Sequence, residues 1–465
     1  MSTIKQHNRR AFLKYGLAGL GAAAAAPYIW VPRISKAALD IPNSRHNHVI
    51  IINLDGGCRS VPMFNGALDT KWNPYGTLAG APGTEWGVGA VFDETPYPET
   101  TTAFGMAMPS LPQISNEIAV IGTVDHTPGA PAGEGNHEAA RNWISSGKAE
   151  GGPGIMSLVY AMHKNYTEGS AGLVFPSVTI GTGNATTPFS KPMGTISPVE
   201  VPSFAEFAQQ SGDDAGGQPD WARDFEAGLD EHAIATRGAS DKIRLARVHN
   251  GKKNVKAFRN VFLDPALRVA EAPTAGNELT NAELQAIFGT TQLGRNMALA
   301  LRFIQYGSAA VTVGYDGWDT HSNEMGAYTT SANELARAFA GLSFALKRMT
   351  HPETGASMWD HTLIMVQSEF GRDNLMGSGY NSGGGSDHTG GPGSRFQAFP
   401  YLGGLVTQGG KMFGRTDANT MEPLAGEPIY STTQHMAMAL AVLDINIEEV
   451  YPGIDPMNVI FTGVV

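Results

Sequence analysis

Acidic and histidine side chains follow several apolar segments of the chain, and these residue types could form a metal or catalytic site. Asp55 ends "HVIIINLDGG" and Glu369 ends the apolar part of "HTLIMVQSEFGR". The other members of this set are Asp319, His321, Asp387, His388, His126 and His137. Hard divalent metals take carboxylate oxygens, and zinc or manganese also take imidazole nitrogens. One such residue alone is usually structural, but the whole set favours a site for a divalent metal or for phosphate-type chemistry.

The apolar segments that precede these residues are typical of buried strands. Strands are expected within 48–57, 117–126, 172–181, 309–321 and 361–372, and helices within 203–310, 331–349 and 431–445. Strands that alternate with helices predict a doubly wound α/β domain with a mostly parallel sheet. Ligands of such sheets bind beyond the carboxyl ends of the strands. The acids and histidines are therefore expected to meet at one edge of the sheet.

The first residues are typical of a twin-arginine export signal. Residues 8–14 read "NRRAFLK", and a weakly apolar run rich in glycine and alanine follows. Residues 1–37 are therefore expected to be the signal, with cleavage near Ala37 or Ala38 and an uncleaved anchor as the alternative. The prediction is a periplasmic or secreted protein without a membrane span after cleavage. Twin-arginine export carries folded proteins, often with a metal or cofactor already loaded.

Composition limits the partners of the remaining chain. Its formal net charge of −11 becomes about −17 without the six basic residues of the signal, which disfavours nucleic acid and anionic membranes as partners. One cysteine, Cys58, excludes an internal disulfide. Residues 38–465 are therefore predicted to form a single domain with a large core, in which 203–310 is a largely helical insertion.

Five motifs occur in an order that resembles a known bacterial family. They are "NLDGG", "GNHEAARNWISSG", "GWDTHSNE", "SEFGR" and "GSDHTGG", and they are similar to those of the exported domain-of-unknown-function family 1501. That family resembles a divergent branch of the alkaline phosphatase and sulfatase superfamily. The resemblance implies an alkaline-phosphatase-like sandwich, with a mostly parallel central sheet flanked by helices. It also implies hydrolysis of phosphate or sulfate esters with one or two divalent metals.

The resemblance assigns metal-binding roles to six residues. The implied ligands are Asp55, Asp319, His321, Glu369, Asp387 and His388. Glu369-Phe370-Gly371 lies where the superfamily usually has Asp-His-Gly. Glu369 can supply an oxygen ligand, but Phe370 cannot replace the histidine. We therefore expect one ion, which could be Zn, Mn, Ca or Mg, with Glu369 at its edge or linked to it through Arg372.

The nucleophile position of the superfamily is occupied by His137, and Arg141 matches the arginine that follows it. His137 is interpreted as a ligand or general base before it is interpreted as a nucleophile. Arg372 has two interpretations: it pairs with Glu369 in a structural role, or it binds an anionic oxygen of the substrate. The candidate catalytic residues are therefore His137, Arg141 and Arg372.

Two functions remain open. The first is a metal-dependent hydrolase of small-molecule or polysaccharide phosphate or sulfate esters that uses water activated at the metal. The second is a non-catalytic envelope or polysaccharide binding protein on a degenerate hydrolase scaffold. A third function, a redox or thiol enzyme, would need the thiol of Cys58, but this residue is expected to be structural. The same expectation holds for Ser60, Trp318 and His435.

Overall fold

The structure is a computed structural model. It describes residues 46–81, 83–126, 136–163, 176–181, 183–194, 196–201, 228–229, 232, 279, 281–305, 307–351, 353–372, 388 and 395–462. All of them belong to one compact unit, Ile41–Val465. The expected export signal, nearly all of 202–280, and Asp387 lie outside the described residues.

The centre of the fold is a sheet in which nine strands are described. They are β1 His48–Leu54, β2 Ala119–Asp125, β3 Ser177–Ile180, β4 Val199–Val201, β5 Ala310–Tyr315, β6 Thr362–Ser368, β7 Phe396–Leu402, β8 Met412–Phe413 and β9 Tyr430–Ser431. Their order is β4-β3-β5-β1-β6-β7-β2-β8, and β9 also pairs with β2. Within this sheet β7 is antiparallel to both neighbours, and the other pairs are parallel.

Helices cover both faces of this sheet. The described helices are α1 Val61–Phe64, α2 Thr100–Phe104, α3 His137–Ser146, α4 Ile155–Met162, α5 Asn281–Phe288, α6 Gln292–Gln305, α7 Glu324–Leu346, α8 Thr432–Val442, α9 Ile447–Val450 and α10 Val459–Thr462. Ile50 and Ile52 of β1 pack into a core with α5, α6 and α7. Val49 and Ile51 point to the opposite face, into a core with α3, α4 and α8.

This architecture confirms the predicted α/β fold with a mostly parallel central sheet flanked by helices. Each of the five predicted strand segments contains a strand, and Pro176 lies immediately before β3. Helices α5 and α6 lie within 203–310, but the helical insertion as a whole stays a prediction because most of that segment lies outside the described residues. None of the described helices has the length and apolarity needed to cross a membrane.

The register of the central strands explains why residues distant in sequence meet. Leu54 of β1 pairs with Tyr315 of β5 on one side and with Ser368 of β6 on the other. All three strands are parallel, so Asp55, the loop after Tyr315 and Glu369 leave the sheet at the same edge.

Candidate metal centre and its surroundings

The turn after β1 brings the chain against the loop that carries Asp319. Gly56 and Gly57 have φ values of 108° and 81°, which side chains with a Cβ rarely adopt. A Cβ on Gly56 would overlap the backbone of Asp319, and one on Gly57 would overlap the ring of Phe370. Two glycines are therefore needed where this turn packs against the site.

Helix α3 supplies two side chains to the site from its first turns. Asn136 caps the helix by accepting hydrogen bonds from the backbone N–H groups of Glu138 and Ala139. His137 and Arg141 are four residues apart, so they lie on the same face of the helix. Both side chains reach the edge of the sheet where β1 and β6 end.

Four side chains bring nitrogen and oxygen atoms close to one another beyond this edge. His321 Nε2 lies 3.0 Å from Asp319 Oδ1, and His388 Nε2 lies 3.2 Å from the same oxygen. The Nε2 atoms of His321 and His388 are 3.1 Å apart. His137 Nε2 lies 3.6 Å from Asp319 Oδ2. Among the described residues, His137, Asp319 and His388 form the group whose ligand atoms all lie within 4.8 Å of one another.

Glu369 lies beneath this group and is fully buried. Its Oε1 accepts a hydrogen bond from the Gly56 N–H at 2.7 Å and lies 2.8 Å from His137 Nδ1. Arg141 Nε lies 3.0 Å from Oε2, but its N–H donates to Asp55. Oε2 therefore accepts no hydrogen bond from the part of the chain that the structure describes.

Arg141 lies between two carboxylates. Its Nε and Nη2 donate to the two oxygens of Asp55 at 3.2 and 3.4 Å, while its Nε is 3.0 Å from Glu369. Asp55 was expected to be a metal ligand. The structure places it on Arg141 and outside the closest ligand group, so its role as a ligand stays a prediction.

Arg372 is fully buried, and its Nη1 donates to Asp319 Oδ1 at 2.6 Å and to the Gly56 carbonyl at 2.8 Å. The sequence left two interpretations of Arg372, and one of them was that it pairs with Glu369. The structure instead pairs Arg372 with Asp319, and it pairs Glu369 with Arg141 and His137.

The aromatic ring of Phe370 is fully buried against the histidines of the site. Its centroid lies 5.0 Å from that of His137 and 5.0 Å from that of His388. Phe370 therefore contributes an apolar wall at the position where the resemblance leads one to expect a ligand.

Local environment shifts the pKa values of these groups in different directions. Burial, and then the charge of Asp55, raise the pKa of Glu369 to about 8. Burial alone would raise the pKa of Asp319, but the hydrogen bond and charge of Arg372 outweigh it and lower that pKa. Burial and the charge of Arg141 lower the pKa of His137. His137 and Asp319 therefore favour the forms that offer lone pairs to a cation.

The remaining residues singled out in the sequence fall mostly in the core. Cys58 is buried, and burial raises the pKa of its thiol well above the usual value, which opposes a thiolate mechanism. Ser60 accepts a hydrogen bond from the Ala398 N–H. Trp318 packs between Tyr315 and Tyr328. Asp387 lies outside the described residues.

One acid near the site was not singled out. Burial, and then the charge of Asp55, raise the pKa of Asp316, while Arg141 lowers it. Asp316 follows β5 directly in "GYDGWDTH", so its position after a strand was the signal that could have identified it.

Residues 46–453 match the family described as protein of unknown function (DUF1501), and the chain belongs to this family. No curated protein matches the sequence. Several solved structures are similar over most of their length. The PsFucS1 sulfatase from Pseudoalteromonas sp. is 11% identical, with 88% of this chain and 70% of that chain covered and a TM-score of 0.35.

Two further structures give similar values. The phosphonate monoester hydrolase SpPMH from Silicibacter pomeroyi is 12% identical, with 90% and 77% of the two chains covered and a TM-score of 0.33. The lipoteichoic acid synthase LtaP from Listeria monocytogenes is 9% identical, with 89% and 74% covered and a TM-score of 0.32. Likeness at this level establishes neither activity nor substrate for this chain.

Proposed function

We propose that this protein is an exported hydrolase of phosphate or sulfate esters that holds one divalent metal ion. The observation that carries the proposal is the group formed by His137, Asp319 and His388, with His321 beside it. Their nitrogen and oxygen atoms approach within 3.0–3.6 Å in successive pairs. Donor atoms around one zinc ion are about 3.3 Å apart. The donor set therefore fits a single ion.

The hydrogen bonds of the surrounding residues also fit a metal centre. Burial raises the pKa of Glu369 to about 8, and a cation bound nearby would favour its ionised form. When Glu369 is ionised, His137 Nδ1 donates to Oε1 at 2.8 Å, which leaves a lone pair on Nε2 facing Asp319. A carboxylate that orients a histidine in this way is a common partner of histidine ligands. Three protein ligands with further positions open are typical of catalytic rather than structural zinc sites.

Arg141 supports the expectation of one ion. The resemblance implied that Asp55 and Glu369 bind metal, but the guanidinium of Arg141 already lies between these two carboxylates. Its positive charge offsets part of their negative charge at the place where a second cation would otherwise be needed.

An ion held here would act as a Lewis acid on an ester oxygen and would lower the pKa of a bound water. The chain itself places no serine, threonine or cysteine at the start of α3, where His137 stands. Water is therefore the proposed attacking group. His321 is 49% exposed, with Nε2 at 3.0 Å from Asp319. It is either the fourth ligand or the group that exchanges a proton with water or the leaving group.

Arg372 contributes by holding Asp319 rather than by binding substrate. Its guanidinium is fully buried, and it is bonded to the Asp319 carboxylate and to the Gly56 carbonyl. We propose that Arg372 keeps Asp319 ionised and correctly oriented, because a charge-assisted hydrogen bond of this kind favours the carboxylate.

Metal analysis and ester hydrolysis test the function together. Purified protein is expected to contain about one divalent ion per chain and to hydrolyse aryl phosphates or aryl sulfates. Asp319→Asn and His388→Ala are expected to lose both the ion and the turnover, while His46→Ala, a histidine at the opposite end of β1, keeps both. His321→Ala separates the two roles of His321: loss of the ion identifies a ligand, whereas a retained ion with slow turnover identifies a proton-transfer group.

Metal-replete protein that turns over no ester in a broad panel would contradict the hydrolase. It would leave a metal-stabilised binding protein as the alternative. Export is tested separately, because Arg9→Lys together with Arg10→Lys is expected to retain the chain in the cytoplasm of its host. Cell fractionation measures this, and unchanged export of the double variant would rule out the twin-arginine route.

A further inference from the structure

A buried chain of hydrogen bonds joins the sheet to helix α3 at the end opposite His137. Gln367 Nε2 donates to the Ile144 carbonyl at 3.2 Å. Gln367 Oε1 lies 2.6 Å from His435 Nε2, and His435 Nδ1 lies 2.8 Å from the Tyr401 hydroxyl. These three side chains come from β6, α8 and β7, and all three are fully buried.

The direction of each bond in this chain is fixed by chemistry. A carbonyl only accepts, so the amide nitrogen of Gln367 faces Ile144 and its amide oxygen faces His435. That oxygen also only accepts, so His435 carries its proton on Nε2. Its Nδ1 then accepts from the Tyr401 hydroxyl. Burial lowers the pKa of His435 to about 3, so the imidazole is neutral and this arrangement persists at physiological pH.

The carboxyl end of α3 is held by further side chains. Tyr451 donates its hydroxyl to the Ser146 carbonyl at 2.8 Å, and Thr433 donates to the Gly147 carbonyl at 2.7 Å. These carbonyls belong to the helix end, where no intrahelical partner is available. Helix α3 is therefore fixed along its axis by side chains of other elements.

Strand β6 connects this anchor to the site within three residues. Gln367 binds α3, Ser368 donates to the Leu54 carbonyl and accepts from the Cys58 N–H, and Glu369 contacts His137. The same short segment thus sets the position of the helix and binds the histidine that the helix presents.

We propose that Gln367, His435 and Tyr401 act together as a positioning relay that holds α3 so that His137 reaches both Glu369 and the metal site. The inference rests on the proposed metal centre. Nothing in the relay touches substrate or ion, so its effect is expected in metal affinity and in the hydrogen bond of His137 rather than in metal stoichiometry.

Tyr401→Phe is the smallest change that breaks the relay, because it removes only one hydroxyl from a fully buried ring. Gln367→Met removes the bond to Ile144 at similar volume. Thr362→Val is the matched control: Thr362 is a fully buried residue of the same strand, and its hydroxyl donates to the Met358 carbonyl far from α3. The measurements are zinc affinity by competition with a chelator and imidazole nitrogen NMR of His137 in zinc-free protein.

Gln367→Met is expected to weaken zinc binding by roughly tenfold, within the range that outer partners of metal ligands reach, and to shift the His137 imidazole signals. Tyr401→Phe should change the zinc affinity and the His137 imidazole signals in the same direction as Gln367→Met, but by a smaller amount. The double variant should bind zinc no more weakly than Gln367→Met alone, because both changes break one relay. Thr362→Val should lower stability without either effect.

The relay would be overturned if Gln367→Met and Tyr401→Phe gave the same zinc affinities and imidazole signals as Thr362→Val. It would also be overturned if the effects of Gln367→Met and Tyr401→Phe on zinc affinity were additive in the double variant. If Gln367→Met does not fold, the comparison of Tyr401→Phe with Thr362→Val alone decides whether the relay exists. If wild-type protein binds neither zinc nor another divalent ion, the proposed function fails, whereas the imidazole signals of His137 still decide whether the relay positions α3.

Discussion

Glu369 and Asp319 are acids at the same edge of the sheet, but their surroundings give them different properties. Glu369 is fully buried, and burial raises its pKa to about 8. Asp319 is 40% exposed, and its bond to Arg372 lowers its pKa. Asp319 therefore suits a ligand that remains ionised, whereas Glu369 suits a residue that orients His137 from below.

Arg141→Gln is expected to destabilise the protein because it leaves two largely buried carboxylates, Asp55 and Glu369, without their cation. The loss should be about 3 kcal/mol, measured by urea unfolding at pH 8 with a chelator present, so that no metal ion replaces the guanidinium. Adding Glu369→Gln should recover part of the loss, because the buried group is then neutral.

Arg415→Gln provides the control for this change. Arg415 forms an ion pair with Glu427 on the surface, with 57% of its side chain exposed, and such pairs contribute little. A loss from Arg141→Gln no larger than that from Arg415→Gln would contradict the proposed role of Arg141.

At the scale of elements, the turn after β1 has to fit against Phe370. Gly57→Ala is expected to cost about 3 kcal/mol of unfolding free energy, since the added methyl overlaps the Phe370 ring and φ is 81°. Gly76→Ala separates these two causes. Gly76 has a φ of 80°, and a Cβ there meets no atom within 4 Å, so its cost should be about 1 kcal/mol.

Thermal or urea unfolding of both alanine variants measures the difference. Replacing Phe370 by leucine in the Gly57→Ala background should restore part of the lost stability, since the smaller side chain makes room for the methyl. Equal losses in the two single variants would show that packing against Phe370 is unimportant.

Much of the element order could be predicted because the central strands are continuous apolar runs, which buried parallel strands require. Strand β7 was missed. Its segment "FQAFPYL" contains Pro400, follows a glycine-rich stretch and runs antiparallel to its neighbours, and an apolar pattern carries no information about strand direction.

The site could be predicted only as a set of residues at one edge. Its acids and histidines follow strands, so the shared edge was predictable from the sequence. The pairing of the two arginines with the carboxylates of the site depends on the position of helix α3. That position is set by Gln367, Tyr401 and His435, which are far from α3 in sequence. The choice of Arg141 rather than Arg372 as the partner of Glu369 was therefore not predictable.

At the scale of the whole molecule, two buried histidines are expected to lower the free energy of unfolding in acid. Burial lowers the pKa values of His48 and His435 to about 3, from an ordinary value of 6.5. Between these values the unfolded chain binds protons that the folded protein excludes, so stability falls as pH drops from 6.5 towards 3. Each histidine contributes a slope of about 1.4 kcal/mol per pH unit in that window.

Urea unfolding between pH 7 and pH 4 measures this dependence, and His435→Gln should reduce the slope by about the contribution of one group. A slope that is the same in wild type and His435→Gln would contradict the assignment.

The contacts of Gln367, Ser368 and Glu369 also bear on how the chain folds. Their partners at Ile144, Leu54 and Gly56 are 223, 314 and 313 residues away in sequence. Contacts this distant require closure of long loops and form late in folding. The proposed metal site is therefore expected to form only after these distant segments have come together, and uptake of an ion would report that late step of folding.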